Sequence, residues 1–268
     1  MTEETNAIET GNDHLSVEQS DDGYVVWATL NRPESHNALS MQIREGLLRT
    51  ARAIDDSPVR VLVIRGAGGT FCSGGDLDSM GEKTKATDYQ QDLSLADLAS
   101  AFADLSALTV AAVEGYCLAG GLGLASSCDF VVADEEATFG TPEMNTGLFP
   151  MQAMAAIMRV VDTRKGLQML FTGEPVDAAT AEKIGLVTEL FESGDFESAV
   201  REYVSTLANN NPVAIEMGKR AFYTQRDMDY DAALEYLRDA FAVLVVSDEA
   251  REGIQAFRDD RDPAWANR

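Results

Sequence analysis

Val61-Leu-Val-Ile-Arg-Gly-Ala-Gly-Gly-Thr-Phe-Cys-Ser-Gly-Gly-Asp76 and Val110-Ala-Ala-Val-Glu-Gly-Tyr-Cys-Leu-Ala-Gly-Gly-Leu-Gly123 are two versions of one unit. Each opens as an apolar run suited to a buried strand and closes in a glycine pair just before a helical pattern. Glycine lets a backbone turn tightly and approach a ligand closely. Two such loops side by side would aim two backbone N–H groups at one developing oxyanion. Other glycine-loop chemistries do not fit. The G-x-G-x-x-G register and the ribose-binding acid of a dinucleotide fold are absent. So are the Gly-Lys-Ser/Thr of a P-loop and the G-x-S-x-G elbow around Ser73.

The flanking sequence alternates strands with helices. Tyr24–Leu30, Val59–Arg65, Val110–Val113 and Asp129–Ala133 read as strands. Ser40 is a suitable N-cap for a helix carrying Ile43, Leu47, Leu48, Ala51 and Ile54 on one face. Leu95, Leu98, Phe102 and Leu105 space like a second helix face, and Leu122–Ser127 predicts a short helix. This order predicts a mostly parallel α/β core. A helix capped by Thr163 ends near Gly173, and one capped by Asp177 stops at Gly185. Leu186–Leu190 predicts a last strand, and from Phe196 onward the pattern is helical throughout. Residues 1–21, polar, acidic and without period, predict an unstructured leader.

Composition narrows the function. The chain has 268 residues, 45 acidic against 21 basic side chains, and a net charge of −24. That field repels phosphate backbones and anionic lipid, so neither nucleic acid nor a membrane surface is expected as partner. The uncharged run Gly115–Cys128 is too short and too rich in glycine to span a bilayer. The N-terminus does not resemble a signal or transit peptide, and Cys72, Cys117 and Cys128 lack a metal or disulfide spacing. A reducing, cytoplasmic setting is expected and no metal site. Sixteen arginines against five lysines within so acidic a chain fit a high-salt cytoplasm, where screening weakens self-repulsion. An ordinary acidic protein is the other reading. With only His14 and His36 present, a histidine-based nucleophilic mechanism would rest on His36 alone.

Ala137-Thr-Phe-Gly-Thr-Pro-Glu-Met-Asn-Thr-Gly-Leu-Phe-Pro150 adds one carboxylate, Glu143, to an otherwise largely uncharged stretch. Apolar surroundings raise a carboxylate's pKa, which suits a general base or acid.

The run Glu114-Gly-Tyr-Cys-Leu-Ala-Gly-Gly-Leu-Gly-Leu-Ala-Ser-Ser-Cys-Asp-Phe130 resembles the signature of the crotonase (enoyl-CoA hydratase/isomerase) superfamily. Flanking blocks agree in order: Leu30-Asn-Arg-Pro33, Asn37-Ala-Leu39, Phe71-Cys-Ser-Gly-Gly-Asp76, Phe139-Gly-Thr-Pro-Glu143, Leu170-Phe-Thr-Gly173, Gly185-Leu-Val187 and Glu252-Gly-Ile-Gln-Ala-Phe257. The resemblance implies a spiral of ββα repeats over residues 22–195, binding acyl-CoA thioesters, and a helical trimerisation region over 196–268. It implies a homotrimer or a hexamer, and no metal or organic cofactor. By motif position the two oxyanion-binding amides fall on Ser73 and Gly120. Gly74, Gly75 and Asp76 would line the acyl-CoA site, and Arg32–Ala38, with His36 and Ala38, would contact the CoA nucleotide. Glu143 would move the proton.

One departure matters. Family hydratases carry two glutamates that hold a water; the second matches Glu143, but the first falls on Gly123. A single carboxylate suffices for a 1,3-proton shift, so residue chemistry favours double-bond isomerisation, with hydration and a non-catalytic acyl-CoA binder as further readings. The acyl pocket is expected between Met80–Leu108 and Phe149–Met158, where Met151, Met154 and Met158, with Met144 nearby, are either pliable lining or ordinary packing.

Overall fold

The computed structural model describes residues 6–8, 12–76, 81 and 84–266. Its strands are β1 (Asn6–Ile8), β2 (Leu15–Gln19), β3 (Val25–Leu30), β4 (Val61–Gly66), β5 (Leu108–Val113), β6 (Tyr116–Leu118), β7 (Phe130–Asp134), β8 (Thr138–Gly140), β9 (Val176–Asp177) and β10 (Glu189–Phe191). Its helices are α1 (Met41–Ile54), α2 (Ala86–Gln90), α3 (Leu95–Asp104), α4 (Gly120–Ser126), α5 (Met151–Ile157), α6 (Thr163–Thr172), α7 (Ala178–Lys183), α8 (Phe196–Ala208), α9 (Pro212–Gln225), α10 (Tyr230–Leu244) and α11 (Asp248–Arg258).

The main sheet runs β1-β2-β3-β4-β5-β7-β10. It is antiparallel from β1 to β3 and parallel from β3 to β10. Its central strands are apolar on both faces because both are covered. Leu62, Ile64, Ala111 and Val113 point into the larger core with α1 and α3. Their neighbours Val61, Val63, Val110 and Ala112 point the other way, onto Phe196, Val200 and Val204 of α8. The helical last third therefore begins by covering the sheet. A second sheet, β6-β8-β9, carries the strands that lead into α4 and into the turn holding Glu143.

Residues 1–21 do not form the expected unstructured leader as a whole. β2 pairs with β3 along its full length, from Leu15 opposite Leu30 to Gln19 opposite Val26. Leu15 and Val17 alternate inward while Ser16 faces solvent, so a half-buried strand was concealed by its polar outer face. His14 is likewise placed, its Nδ1 lying 3.0 Å from the Ser40 hydroxyl. Residues 1–5 and 9–11 lie outside the described part.

α9 is clasped to the core by an ion pair. Lys219 Nζ meets Asp129 Oδ2 at 2.8 Å and donates to the Ala107 carbonyl at 2.7 Å. Asp129 also accepts from the Thr109 amide and hydroxyl and from the Tyr223 hydroxyl. Beyond this clasp, α10, α11 and the turn between them expose Tyr230, Leu234, Phe241, Val246 and Phe257.

Candidate active site

The two glycine loops lie against each other. Cys72 bridges Cys117 in parallel β fashion, and Leu118 N donates to Cys72 O at 2.9 Å. Side chains are excluded from the contact. A Cβ on Gly74, whose φ is +117°, would lie 2.6 Å from the Ala119 Cβ, and one on Gly121 would lie 2.5 Å from the Cys72 oxygen. Ala119 takes φ 52° at the entrance to α4, a conformation disfavoured for a residue with a Cβ. Asn37 fastens the outside: its buried amide donates to Ala67 O at 2.9 Å and Thr70 O at 2.6 Å.

This packing leaves two amides open. Gly75 N–H has no acceptor among the described residues. Gly120 is the first residue of α4, so its N–H has no partner within the helix. The groups are adjacent, since a Cβ on Gly120 would lie 3.5 Å from the Gly75 nitrogen. Ser73 does not supply the donor expected of it: its amide is bonded to the His36 carbonyl at 3.0 Å. The strand-like tie between the two segments, continued by Leu39 N to Gly74 O at 2.8 Å, moves the first open N–H two residues on.

Gly75, Gly120 and Glu143 line a single cavity of about 480 Å³, together with the Ser73 and Asp76 expected there. Glu143 follows β8 on the short 3-10 turn Pro142–Thr146, with its Oε2 buried and unpartnered among the described residues. Burial raises its pKa above the ordinary carboxylate value, opposed only by a bond to its own backbone. Asp76 is ion-paired to Arg32 at 2.9 Å. Gly74, His36 and Ala38 do not line the cavity: Gly74 is buried beneath the loop, while exposed His36 and half-buried Ala38 belong to the segment wrapped around it. Cys72 is buried beside these loops, and burial pushes its thiol up to about 12, so it is no nucleophile at neutral pH.

The cavity is also lined by Tyr89, Asp92, Ser94, Leu95 and Phe149–Ala153, within the two segments expected to shape an acyl pocket. Of the described methionines only Met151 lines it; Met154 and Met158 pack against the core. Sequence reasoning missed the open Gly75 amide and Arg44, which reaches the cavity from the side of α1. Neither carries a signal in the pattern. An open N–H is defined by what its neighbours bond to, and Arg44 reads as one more surface charge.

Residues 21–268 match the Enoyl-CoA hydratase/isomerase family. The chain belongs to that family. An enoyl-CoA hydratase/isomerase family member of Mycobacterium tuberculosis, named a probable enoyl-CoA hydratase, is 32% identical over 245 residues, covering 90% of this chain and 93% of its own. The zebrafish (Danio rerio) enoyl-CoA hydratase domain-containing protein 3 is 33% identical over 241 residues, covering 89% and 83%. The fold is the crotonase fold. It superposes on the crystal structure of a Mycobacterium smegmatis enoyl-CoA hydratase with a TM-score of 0.91 at 31% identity, covering 95% and 99% of the two chains.

Gly123, where the resemblance places the first glutamate of a hydratase, has no room for a side chain. A Cβ on Gly123 would lie 2.5 Å from Leu95 Cδ2, 2.7 Å from Ala153 Cβ and 2.9 Å from Ala153 Cα. The α4–α5 contact fills the space beside Gly123 with hydrocarbon.

Proposed function

We propose that this enzyme shifts the double bond of an enoyl-CoA thioester through an enolate, with Glu143 as sole proton carrier and the Gly75 and Gly120 amides as oxyanion donors. The observation that carries the reading is one cavity holding two open amides and one desolvated carboxylate, with the Gly123 position blocked. In a 3-enoyl thioester, the Glu143 carboxylate takes a proton from C2. The C–H electron pair forms a C1–C2 double bond, and charge moves to the thioester oxygen between the two amides. The neutral Glu143 then returns the proton to C4, the C2–C3 double bond forms, and the carboxylate is restored. Two N–H donors lower the enolate's energy; loss of one such donor typically costs about 3–4 kcal/mol.

Hydration is the second reading, supported by the printed names of the relatives. Water addition needs one group to activate the water and another to deliver a proton, and Gly123 supplies neither. Incubation with 3-enoyl-CoA and with 2-enoyl-CoA, following double-bond migration and 3-hydroxyacyl-CoA formation separately, tests the choice. Migration without comparable water uptake is the expected result, and predominant hydration overturns it. Binding of acyl-CoA without turnover would show the non-catalytic homologue. We further propose that the exposed apolar faces of α10 and α11 close a homotrimer or a dimer of trimers.

A further inference from the structure

We infer that Arg44 is a specificity-determining residue that receives a carboxylate at the far end of the acyl chain, so that the preferred substrates are CoA thioesters of dicarboxylic acids. The inference rests on the acyl-CoA reading and refines it. Arg44 lines the same cavity as Gly75, Gly120 and Glu143. Its guanidinium is half-buried, and burial is the main influence on it, holding its pKa below the usual arginine value. Of its five N–H donors, one bonds to the Leu93 carbonyl at 2.8 Å, and the buried Nε has no partner among the described residues. Asp76 and Glu45 are near enough to act electrostatically, yet the Asp76 carboxylate is paired with Arg32 at 2.9 Å and Glu45 is exposed to solvent. A partly desolvated guanidinium with a single neutral hydrogen bond favours an incoming anion, and carboxylate fits its fork in two-pronged fashion.

The cavity's layout assigns that anion to the chain end. A Cβ on Gly120 would lie 3.5 Å from both the Gly75 nitrogen and Leu39 Cδ1. One turn further along α4, Gly123 meets Leu95 and Ala153. Arg44 is bonded to Leu93, two residues before Leu95. Leu39, Leu95, Leu148 and Phe149 line the same cavity, so an acyl chain held at the amides lies among apolar side chains in a space it shares with the guanidinium. Asp92 also lines the cavity and already has an interaction of its own. Simple alkanoyl chains offer Arg44 nothing, because a methyl terminus displaces its water and returns no acceptor.

Phosphate oxygens of CoA present the same chemistry, so the test separates the two. Dissociation constants are measured calorimetrically for succinyl-, adipoyl- and suberoyl-CoA, each against the methyl-ended chain of equal length (butyryl-, hexanoyl- and octanoyl-CoA), on the wild type, Arg44→Gln and Arg44→Lys. At least one diacid thioester should bind roughly ten-fold or more tightly than its methyl-ended match. Arg44→Gln should abolish that preference while leaving methyl-ended affinities within about two-fold, and Arg44→Lys should retain part of it. Absence of any preference in the wild type, or its survival in Arg44→Gln, overturns the assignment. Equal weakening of every CoA ester, lost again with pantetheine thioesters that lack the nucleotide, would mean a phosphate contact and also overturns it. Failure of all six thioesters to bind would defeat the acyl-CoA reading itself, an outcome distinct from loss of the preference alone.

Discussion

Glu143 is where electrostatics and chemistry meet in one side chain. Its burial disfavours the charged form, so its pKa lies above the ordinary value. The folded protein therefore holds this proton at pH values where the unfolded chain has released it. With more protons bound in the native state, stability falls as pH rises between the unfolded and folded pKa values. The proposed isomerisation has the opposite demand, because only the carboxylate can take the C2 proton. The acid limb of kcat/KM for isomerisation should accordingly report a pKa above 4.5, the value from which it is shifted. Glu143→Gln should lower kcat by about 10²–10⁴-fold with acyl-CoA affinity retained. It should also raise Tm at neutral pH, with the gain disappearing in acid where the wild-type side chain is already neutral. A variant equally active, or one less stable at neutral pH, would contradict the role given to this group. The pairing of a carboxylate with apolar neighbours was legible in the residues around Pro142. The partner amide was not: Ser73 and Gly75 are equivalent donors on paper, and only the bond from Ser73 N to His36 O distinguishes them.

At the level of elements, close helix contacts decide what the site can hold. α4 packs on α5 through Gly123, where an added methyl would press on the Ala153 backbone. Gly123→Ala should destabilise the protein by about 1–3 kcal/mol in urea titrations, the range for overpacking a filled core. Gly123→Glu should cost more and should not confer hydration; a stable variant with hydratase activity would show the contact to be plastic. The α9 clasp yields a second prediction. Lys219→Met removes one member of a buried pair, leaving Asp129 with only its neutral donors Thr109 and Tyr223. A loss of about 3–5 kcal/mol is expected. Adding Asp129→Asn should recover part of it, which a purely steric effect of methionine would not allow. Elements with strong periodicity were readable: β4, β5, α1 and α3 lie within a few residues of their expected bounds, and from Phe196 onward the described regular elements are helices, as the pattern predicts. What escaped were pieces whose identity comes from partners. β6, β8 and β9 span two or three residues each, too few for a period. β2 was masked because only Leu15 and Val17 of its residues face the core. α8, within the region 196–268 that the resemblance assigns to trimerisation, packs on the sheet; amphipathicity shows that a face is buried, without showing against what.

For the whole molecule, two opposing forces act on one surface. The chain carries a net charge of −24, so bringing copies together raises mutual repulsion. The C-terminal helices nonetheless leave Tyr230 77% exposed, Phe241 65% and Phe257 88%, side chains whose burial is worth about 1.5–3 kcal/mol each for a residue of phenylalanine's size. Repulsion between exposed charges is screened by salt, with a Debye length near 10 Å at 0.1 M and about 3 Å at 1 M. Apolar burial is not weakened by the same change. Assembly should therefore strengthen with salt: light scattering after size exclusion should show three or six chains per particle at molar NaCl, with smaller species appearing as salt is removed. Tm should rise over the same interval and depend on protein concentration wherever assembly is incomplete. Phe241→Asp combined with Phe257→Asp should give single chains at every salt concentration while preserving the far-ultraviolet spectrum. If the double variant still assembles, the interface lies on another face; if wild-type Tm is flat from low to molar salt, self-repulsion is too weak to govern either folding or assembly.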